Sequence, residues 1–255
     1  QTTAKKKVFV PKQPAEIHHL AQSFNKLLEY QDKAIKREQQ FVTDASHELK
    51  TPLAAIRGHI NLIKRRGKEH PEIVAKSLQY IDSESSRMEI LVNELLELGR
   101  AKKQHQSIEP IDLVPIVQKE SEILEREYST CSVYISSPTK LFYPIEVKDF
   151  RLIIHNLLDN AAKYSQNNAK IKVELQKDNG YLILRVKDQG IGIRKENYDK
   201  IFDRFYREDQ AHSSQIKGTG IGLAIVKDIV TKYHGKISVS ANTPKGAIFE
   251  IKLPL

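Results

Sequence analysis

A long helical pattern near the start of the chain constrains its fold more than any other feature. From Ala15 onward apolar residues recur every three or four positions, and no glycine or proline interrupts them before Pro52. A helix that continued to about Arg66 would be roughly 75 Å long at 1.5 Å per residue, which is more than a monomeric globule covers. The pattern therefore favours a coiled coil or an extended helical bundle.

A second amphipathic helix follows the turn Gly67-Lys68-Glu69-His70-Pro71. Its apolar residues extend from Ile73 to Leu98 with the same spacing, and the pattern ends near Gly99. Two antiparallel helices alone form a poor core, whereas two such hairpins from two chains form a four-helix bundle with a buried seam. The sequence therefore predicts a homodimer.

One imidazole stands out in the first helix, within the run Ser46-His47-Glu48-Leu49-Lys50-Thr51-Pro52. His47 lies off the apolar stripe, with Thr51 one turn away on the same polar face, so we expect it to be exposed. An imidazole in water is mostly unprotonated near pH 7 and has a nucleophilic nitrogen, and Glu48 is an adjacent carboxylate that could orient the ring or take its proton. Pro52 removes a helical hydrogen bond, which predicts a bend.

Composition narrows the class of protein. The chain has 255 residues, of which 40% are hydrophobic, enough for one large domain or two ordinary ones. The single cysteine, Cys131, excludes an intrachain disulfide and favours a reducing compartment. Although the formal net charge is +9, the basic clusters fall at predicted helix ends and turns, without interleaved aromatic residues. This arrangement favours solvated turns over a nucleic-acid interface.

The pattern changes after Gly99. Residues 100–110 are basic and polar and predict a linker. Beyond it we predict helices at 113–127, 147–164 and 221–234, and strands at 132–136, 169–176, 181–186, 236–241 and 247–253. The middle pair of strands forms a hairpin around Lys177-Asp178-Asn179-Gly180. Helices beside hairpin strands favour an α+β sandwich, in which a mostly antiparallel sheet is covered on one face.

One predicted helix of this second region has an unusual polar face. Asn156, Asn160, Lys163 and Tyr164 recur at spacings of three and four, so they share one side. Amide oxygens are suitable ligands for Mg²⁺, which also binds substrate phosphates, and a lysine and an aromatic ring lie beside them. An asparagine-rich helix face is usually only solvated, so this feature alone does not establish a site.

Two glycine segments and the sequence between them complete the pattern. Asp188-Gln189-Gly190-Ile191-Gly192-Ile193 follows a strand, so a carboxylate precedes glycines that let a ligand approach the backbone. Gly218-Thr219-Gly220-Ile221-Gly222-Leu223 opens a helix, whose N-terminus favours phosphate. Between them lie the run 201–207 and a polar stretch, 208–217, that predicts a mobile lid. Neither glycine segment matches a dinucleotide fingerprint or a P-loop.

In this order and spacing, these motifs resemble the cytoplasmic core of a bacterial two-component sensor histidine kinase over residues 15–255. Residues 1–40 resemble a linker and the C-terminal part of a HAMP signalling helix, and residues 41–99 resemble the dimerisation and histidine phosphotransfer hairpin. Residues 100–110 would be a linker, and 111–255 resemble the ATP-binding domain shared by gyrase, Hsp90 and histidine kinases. The implied fold is multidomain, with an all-α dimeric four-helix bundle followed by an α+β sandwich.

The resemblance also implies a role for individual residues. His47 would be the phospho-acceptor, Glu48 its base, and Thr51 the residue that orients water when the partner regulator is dephosphorylated. Arg207 would contact the γ-phosphate, Asn160 and Asn156 would bind Mg²⁺, and Asp188 would accept from the adenine amino group. The remaining ATP-binding residues implied are Lys163, Tyr164, Gly190, Gly192, Ile193, Lys217, Gly218, Thr219, Gly220, Gly222 and Leu223.

The implied reaction is autophosphorylation of His47 by ATP, followed by transfer to an aspartate of a response regulator, with phosphatase activity toward that regulator in another state. Two alternatives share the ATP site. In one, the protein is a clamp ATPase and His47 is an ordinary surface residue; in the other, it is a signalling scaffold or a phosphatase only.

The resemblance further implies the cytoplasmic portion of a bacterial cell-membrane protein. The chain itself contains no apolar run near 18 residues, so we expect this fragment to be soluble and to meet a membrane only through missing upstream segments. No nucleic-acid partner is expected.

Overall fold

The structure is a computed structural model and describes residues 7–10, 14–100, 108–165, 169–208 and 218–255. The chain divides into two compact units, Gln1–Met88 and Glu89–Leu255. This division falls within the second long helix, so that helix contributes residues to both units. The domain boundaries at 40, 99 and 110 stay predictions, and most of the predicted linker, 101–107, lies outside the described residues.

The first unit contains the longest helix of the described chain. Helix α1 extends over Ala15–Arg66 and passes through Pro52, while α2 begins at Pro71 and ends at Arg100. Helix α1 ends where the Gly67 N–H donates to the Ile63 carbonyl at 2.8 Å, just after three basic residues that favour the negative end of the helix dipole. The two predicted helices are therefore confirmed, and the bend at Pro52 stays a prediction.

An apolar row of α1 faces solvent in this single chain. Leu20 is 71% exposed and Leu27 is 55% exposed, and Ile17 and Phe24 each expose nearly half of their surface. A contiguous row of large apolar side chains on one helix face is unusual for a monomeric soluble protein. These exposed side chains belong to the long apolar pattern that the sequence shows in this helix.

The second unit combines three further helices with two sheets. A five-stranded sheet has the order β2-β4-β5-β7-β6, in which only the β2–β4 pair is parallel, and β1 pairs with β3 in a separate antiparallel ribbon. The strands are β1 (Pro110–Asp112), β2 (Ser132–Ser136), β3 (Phe142–Pro144), β4 (Lys170–Asp178), β5 (Tyr181–Lys187), β6 (Lys236–Ala241) and β7 (Ala247–Pro254). The helices are α3 (Val114–Glu127), α4 (Val147–Tyr164) and α5 (Gly222–Lys232), with short 3-10 turns at Lys195–Asn197 and Lys200–Phe202. The mostly antiparallel α+β architecture is confirmed.

The core of this unit lies between α4, α5 and the large sheet. Phe150, Ile153 and Leu157 of α4 are at most 1% exposed, as are Ile171 of β4 and Ile229 of α5. Full burial of such a side chain contributes roughly 1.5–3 kcal/mol to stability. Because these residues fix one face of α4 against the sheet, the opposite face of α4 is available to line a site.

Two details differ from the sequence-based prediction. Strands β1 and β3 were not predicted, because three residues are too few to establish an alternating pattern. The β4–β5 connection is also tighter than the predicted four-residue turn: only Asn179 and Gly180 lie between the strands, with φ angles of 49° and 79°. Positive φ at both positions is the geometry of a two-residue type I′ hairpin.

Over the part of the chain that the structure describes, none of the helices is both long and apolar enough to cross a bilayer.

Candidate functional site

A cavity of about 350 Å³ opens in the second unit beside α4. Thirteen of the residues singled out in the sequence line it: Asn156, Asn160, Lys163, Tyr164, Asp188, Gly192, Ile193, Arg207, Gly218, Thr219, Gly220, Gly222 and Leu223. They come from the exposed face of α4, the segment after β5, the run before residue 208 and the glycine segment that precedes α5. Residues far apart in the sequence thus meet around one space.

The α4 face supplies amide oxygens and a cation. The Asn156 side-chain amide donates to the Leu152 carbonyl at 2.8 Å, and its Oδ1 lies so close to Gly222 that a Cβ there would be 2.4 Å from it. Lys163 Nζ lies 2.5 Å from Asp159 Oδ2, and the Tyr128 hydroxyl donates to Asp159 Oδ1 at 2.9 Å. Hydrogen bonds therefore orient both the amide and the lysine at the cavity wall.

Asp188 is a buried carboxylate fixed by the backbone. It is only 4% exposed, and its Oδ1 accepts hydrogen bonds from the Gly190 N–H at 2.9 Å and the Ala247 N–H at 3.0 Å. Burial raises the pKa of Asp188, because desolvation disfavours its charged form, while these two hydrogen bonds partly offset that effect. With both backbone bonds at Oδ1, Oδ2 is the oxygen suited to a ligand donor.

Gly190 acts on the site without lining it. A Cβ at this position would lie 2.4 Å from the Tyr164 carbonyl oxygen, and the Ile191 N–H donates to that same oxygen at 3.1 Å. A larger residue would therefore push the Asp188 segment away from the end of α4. The expected role in shaping the pocket is compatible with this position, but Gly190 itself is not among the lining residues.

The glycine segment before α5 is joined to the run before residue 208. The Phe205 N–H donates to the Gly220 carbonyl at 2.9 Å, and Arg207 Nη1 donates to the Gly218 carbonyl at 3.1 Å. Gly220 has φ of +73°, and a Cβ there would lie 2.9 Å from the Phe205 backbone. The segment leads directly into α5 at Gly222, so the first N–H groups of this helix point toward the cavity end of the segment.

Two predictions fall outside the described part of the chain. Lys217 and the lid predicted for 208–217, apart from Glu208, lie within residues 209–217, which the structure does not describe. Both stay predictions.

Eight further residues line the cavity although the sequence-based prediction gave them no individual binding role: Glu94, Asp159, Ile191, Ile201, Tyr206, Glu208, Ala247 and Phe249. Asp159 and Glu208 adjoin predicted site residues, so their position along the chain was a usable signal. Glu94 had none, because it belongs to α2. It accepts a hydrogen bond from the Thr219 hydroxyl, and burial raises its pKa.

His47, Glu48 and Thr51 lie in the first unit, whereas the cavity lies in the second. His47 is exposed on α1, as expected, and Glu48 is half-buried. The Thr51 hydroxyl donates to the His47 carbonyl at 3.3 Å, so Thr51 is fixed one turn beyond the imidazole. The ring itself is accessible to solvent and thus to a reaction partner.

Two family models match the chain. Residues 37–104 match the His Kinase A (phospho-acceptor) domain, and residues 146–255 match the histidine kinase-, DNA gyrase B- and HSP90-like ATPase. The first match contains His47, and the second contains all the predicted cavity residues. Together they cover most of the chain.

Individual relatives agree with these matches. The chain is 37% identical over 243 residues to the signal transduction histidine-protein kinase ArlS of Staphylococcus aureus, a match that covers 92% of this chain and 53% of ArlS. The chain thus spans about half the length of the curated relatives it matches. Among solved structures, the mycobacterial sensor histidine kinase MprB is 31% identical, with a TM-score of 0.52, covering 58% of this chain and 97% of that one.

A third relative extends the fold likeness over both units. The histidine kinase ThkA, solved in complex with the response regulator protein TrrA, has a TM-score of 0.68 and 23% identity over 89% of this chain and 66% of that one. At this identity the likeness concerns the fold.

Proposed function

Because the chain belongs to the sensor histidine kinases, we propose that it transfers the γ-phosphoryl group of ATP to His47 and then to an aspartate of a response regulator. The observation that carries the proposal is the combination of an exposed His47 on α1 with a cavity that gathers thirteen of the predicted nucleotide-binding residues. Neither feature alone distinguishes a kinase from an ATPase or from a helical scaffold.

The cavity suits ATP because its walls combine two kinds of chemistry. Asp188 Oδ2 is suited to accept from the adenine amino group, and the Tyr164 side chain lines the same space. Lys163, Arg207 and the N-terminus of α5 would offer positive charge and N–H donors to phosphates.

Asn160 and Asn156 are the proposed Mg²⁺ ligands. Hard amide oxygens fit this ion, and the bond from Asn156 Nδ2 to the Leu152 carbonyl leaves the amide oxygen facing the cavity. Within the described ranges no group of three or more His, Cys, Asp or Glu residues is suited to hold a metal. Mg²⁺ in proteins usually also binds substrate phosphates. When bound, Mg²⁺ neutralises charge on the phosphate oxygens.

Phosphoryl transfer requires an in-line nucleophile and stabilised phosphate charge. We assign the nucleophile to a ring nitrogen of His47 and the orientation of that ring, or uptake of its proton, to Glu48. Lys163 and Arg207 are the residues of this chain that would bind the oxygens of the transferred phosphoryl group. Phosphohistidine would then pass the group to an acidic side chain of the regulator.

A response regulator is the proposed protein partner. ThkA, whose fold this chain shares, was solved in complex with one, which supports the same class of partner here. Thr51, one turn beyond His47, is the proposed residue for orienting water when the phosphorylated regulator is hydrolysed. Since both ATP and such regulators are cytoplasmic, we place this part of the protein in the cytoplasm.

A second copy of the chain is the proposed partner for the exposed apolar row of α1. Ile17, Leu20, Phe24 and Leu27 would be covered in a four-helix bundle formed by two hairpins. Residues 15–40 would then transmit a signal along α1 toward His47.

The decisive experiment is incubation with γ-labelled ATP and Mg²⁺. We expect label that survives alkali and is lost in acid, that disappears in His47→Ala, and that persists in the control His70→Ala, an exposed histidine beyond the end of α1. Labelled phosphate released to solvent without labelled protein would instead support the clamp ATPase. ATP binding without either product would support the scaffold.

A further inference from the structure

Glu208 is a cavity residue for which the family resemblance implied no role. It directly follows Arg207, lines the cavity, and has a side chain that is only 20% exposed. An acidic side chain at the wall of a proposed phosphate site opposes the ligand's charge unless its own charge is taken up elsewhere. The contacts of Glu208 identify what holds this side chain at the cavity wall.

The Glu208 carboxylate binds the 3-10 turn at Lys195–Asn197 and the residue just before it. Its Oε1 accepts from the Arg194 N–H at 2.9 Å and from the Asn197 side-chain amide at 2.8 Å. Arg194 Nε lies 3.9 Å from the same oxygen. Asn197 is itself 6% exposed, so its amide is a buried and well-fixed donor. Three groups of one turn thus converge on one carboxylate oxygen.

These contacts fix the chain just after Arg207, on its C-terminal side. On the N-terminal side, the Phe205 N–H donates to the Gly220 carbonyl, and Arg204 Nη2 lies 3.0 Å from Asp228 Oδ2 of α5. Arg207 therefore lies between two anchored points, one at Arg204 and Phe205 and one at Glu208. Its guanidinium donates to the Gly218 carbonyl at 3.1 Å, which directs it along the glycine segment.

We propose that Glu208 is a positioning residue for Arg207: by binding Arg194 and Asn197, its carboxylate sets the backbone from which the guanidinium reaches the γ-phosphate. This inference rests on the proposed role of Arg207. The required property of Glu208 is an acceptor oxygen rather than a negative charge, because both donors at hydrogen-bond distance are neutral N–H groups. The Arg194 guanidinium is farther away and largely exposed, so its ion pair with Glu208 adds little. Glutamine keeps such an oxygen, and alanine does not.

The variants Glu208→Ala and Glu208→Gln separate these properties, and Glu196→Ala is the matched control. Glu196 is an exposed acidic residue on the same 3-10 turn, so its removal changes the charge equally. Each variant of the 255-residue chain is tested for thermal unfolding, for the KM and kcat of His47 labelling, and for affinity toward ADP and a non-hydrolysable ATP analogue. The same set is repeated in an Arg207→Ala background.

We expect Glu208→Ala to lower kcat by about 10- to 100-fold, the range for a displaced contact near the reacting group, with an unchanged ADP affinity. It should also reduce the preference for the ATP analogue over ADP. The kcat of Glu208→Gln and of Glu196→Ala should stay within about threefold of the parent value, since in each variant residue 208 keeps its bonds to Arg194 and Asn197. With Arg207→Ala, the Glu208→Ala change should have no further effect.

Three results would overturn the inference: a Glu208→Ala protein that labels and discriminates nucleotides like the parent, a Glu208→Gln protein as impaired as the alanine variant, or a further loss in the Arg207→Ala background. These results differ from a failure of the proposed function, because in that case the parent protein itself would show no labelled histidine. In that case the ratio of ATP-analogue to ADP affinity still tests Glu208.

Discussion

Gly222 illustrates how a single Cα decides the geometry of the site. It begins α5 and lies against the Asn156 side chain, where a Cβ would stand 2.4 Å from Oδ1 and 3.3 Å from Cγ. The obstructing atoms belong to a side chain, so the fold can accommodate a methyl group. The adjustment would, however, break the bond from Asn156 to the Leu152 carbonyl.

We therefore expect Gly222→Ala to keep the fold but weaken Mg-ATP binding about tenfold, the value of one contact to a charged group. Calorimetric titration measures this affinity, and thermal unfolding should change little. Gly99→Ala is the control, because a Cβ built there meets no described atom within 4 Å apart from the neighbouring backbone of its own helix. Equal nucleotide affinity of the two variants would contradict the assigned position of Asn156.

At the scale of elements, a buried ion pair joins the ends of α4 and α5. Lys232 Nζ lies 2.7 Å from Asp149 Oδ2 and 2.8 Å from Glu146 Oε1, and the side chains of Lys232 and Asp149 are 6% and 5% exposed. The Tyr233 hydroxyl donates to the same Asp149 oxygen at 2.9 Å. Desolvation alone would lower the pKa of Lys232, but the hydrogen bonds from Lys232 to Asp149 and Glu146 raise it instead, so the lysine stays charged.

Lys232→Met should destabilise the second unit by about 3 kcal/mol, because it leaves the buried Asp149 carboxylate without its cation. The double variant Asp149→Asn with Lys232→Met should recover part of this loss, since the side chain at position 149 is then uncharged. Urea unfolding followed by tyrosine fluorescence measures both free energies of unfolding. Lys236→Met, at an exposed position of β6, is the control. If Lys232→Met were as stable as its parent, the buried pair of Lys232 and Asp149 would be shown to contribute nothing to stability.

The sequence predicted long elements well and short or non-local features poorly. The bounds of α1 and α4 were confirmed because each carries several turns of one strong apolar period. Strands β1 and β3 have three residues each and were missed. The pocket position of Glu94, and the bonds of Glu208 to Arg194 and Asn197, depend on tertiary contacts that no local pattern encodes.

The site residues divide in the same way. Asn156, Asn160, Lys163 and Tyr164 share a face of α4 because helical spacing requires it, and all four line the cavity. That Asp188 and Gly218 line the same cavity could be expected only from the family resemblance, since thirty residues of chain separate them. Their chemical roles stay proposals that the labelling and binding experiments test.

For the molecule as a whole, the exposed apolar row of α1 predicts self-association. Phe24→Glu with Leu27→Glu should weaken the homodimer at least tenfold, because each introduces a charge into a seam that must exclude water. Sedimentation velocity over a concentration series measures the dimer fraction. Gln22→Glu adds a charge on another face of the same helix and should leave it unchanged. A parent chain that stays monomeric at high concentration would contradict the bundle.

The bonds that join Phe205 to Gly220 and Arg207 to Gly218 have a consequence for how this part of the protein can be altered. The run before residue 208 and the glycine segment are tied to each other directly, so the length of the chain that connects them does not set their separation. Doubling the length of such a connection costs only about 0.6 kcal/mol in closure entropy. A reporter inserted between Glu208 and Lys217 should therefore leave the bonds at Gly218 and Gly220, and with them the shape of the cavity, unchanged.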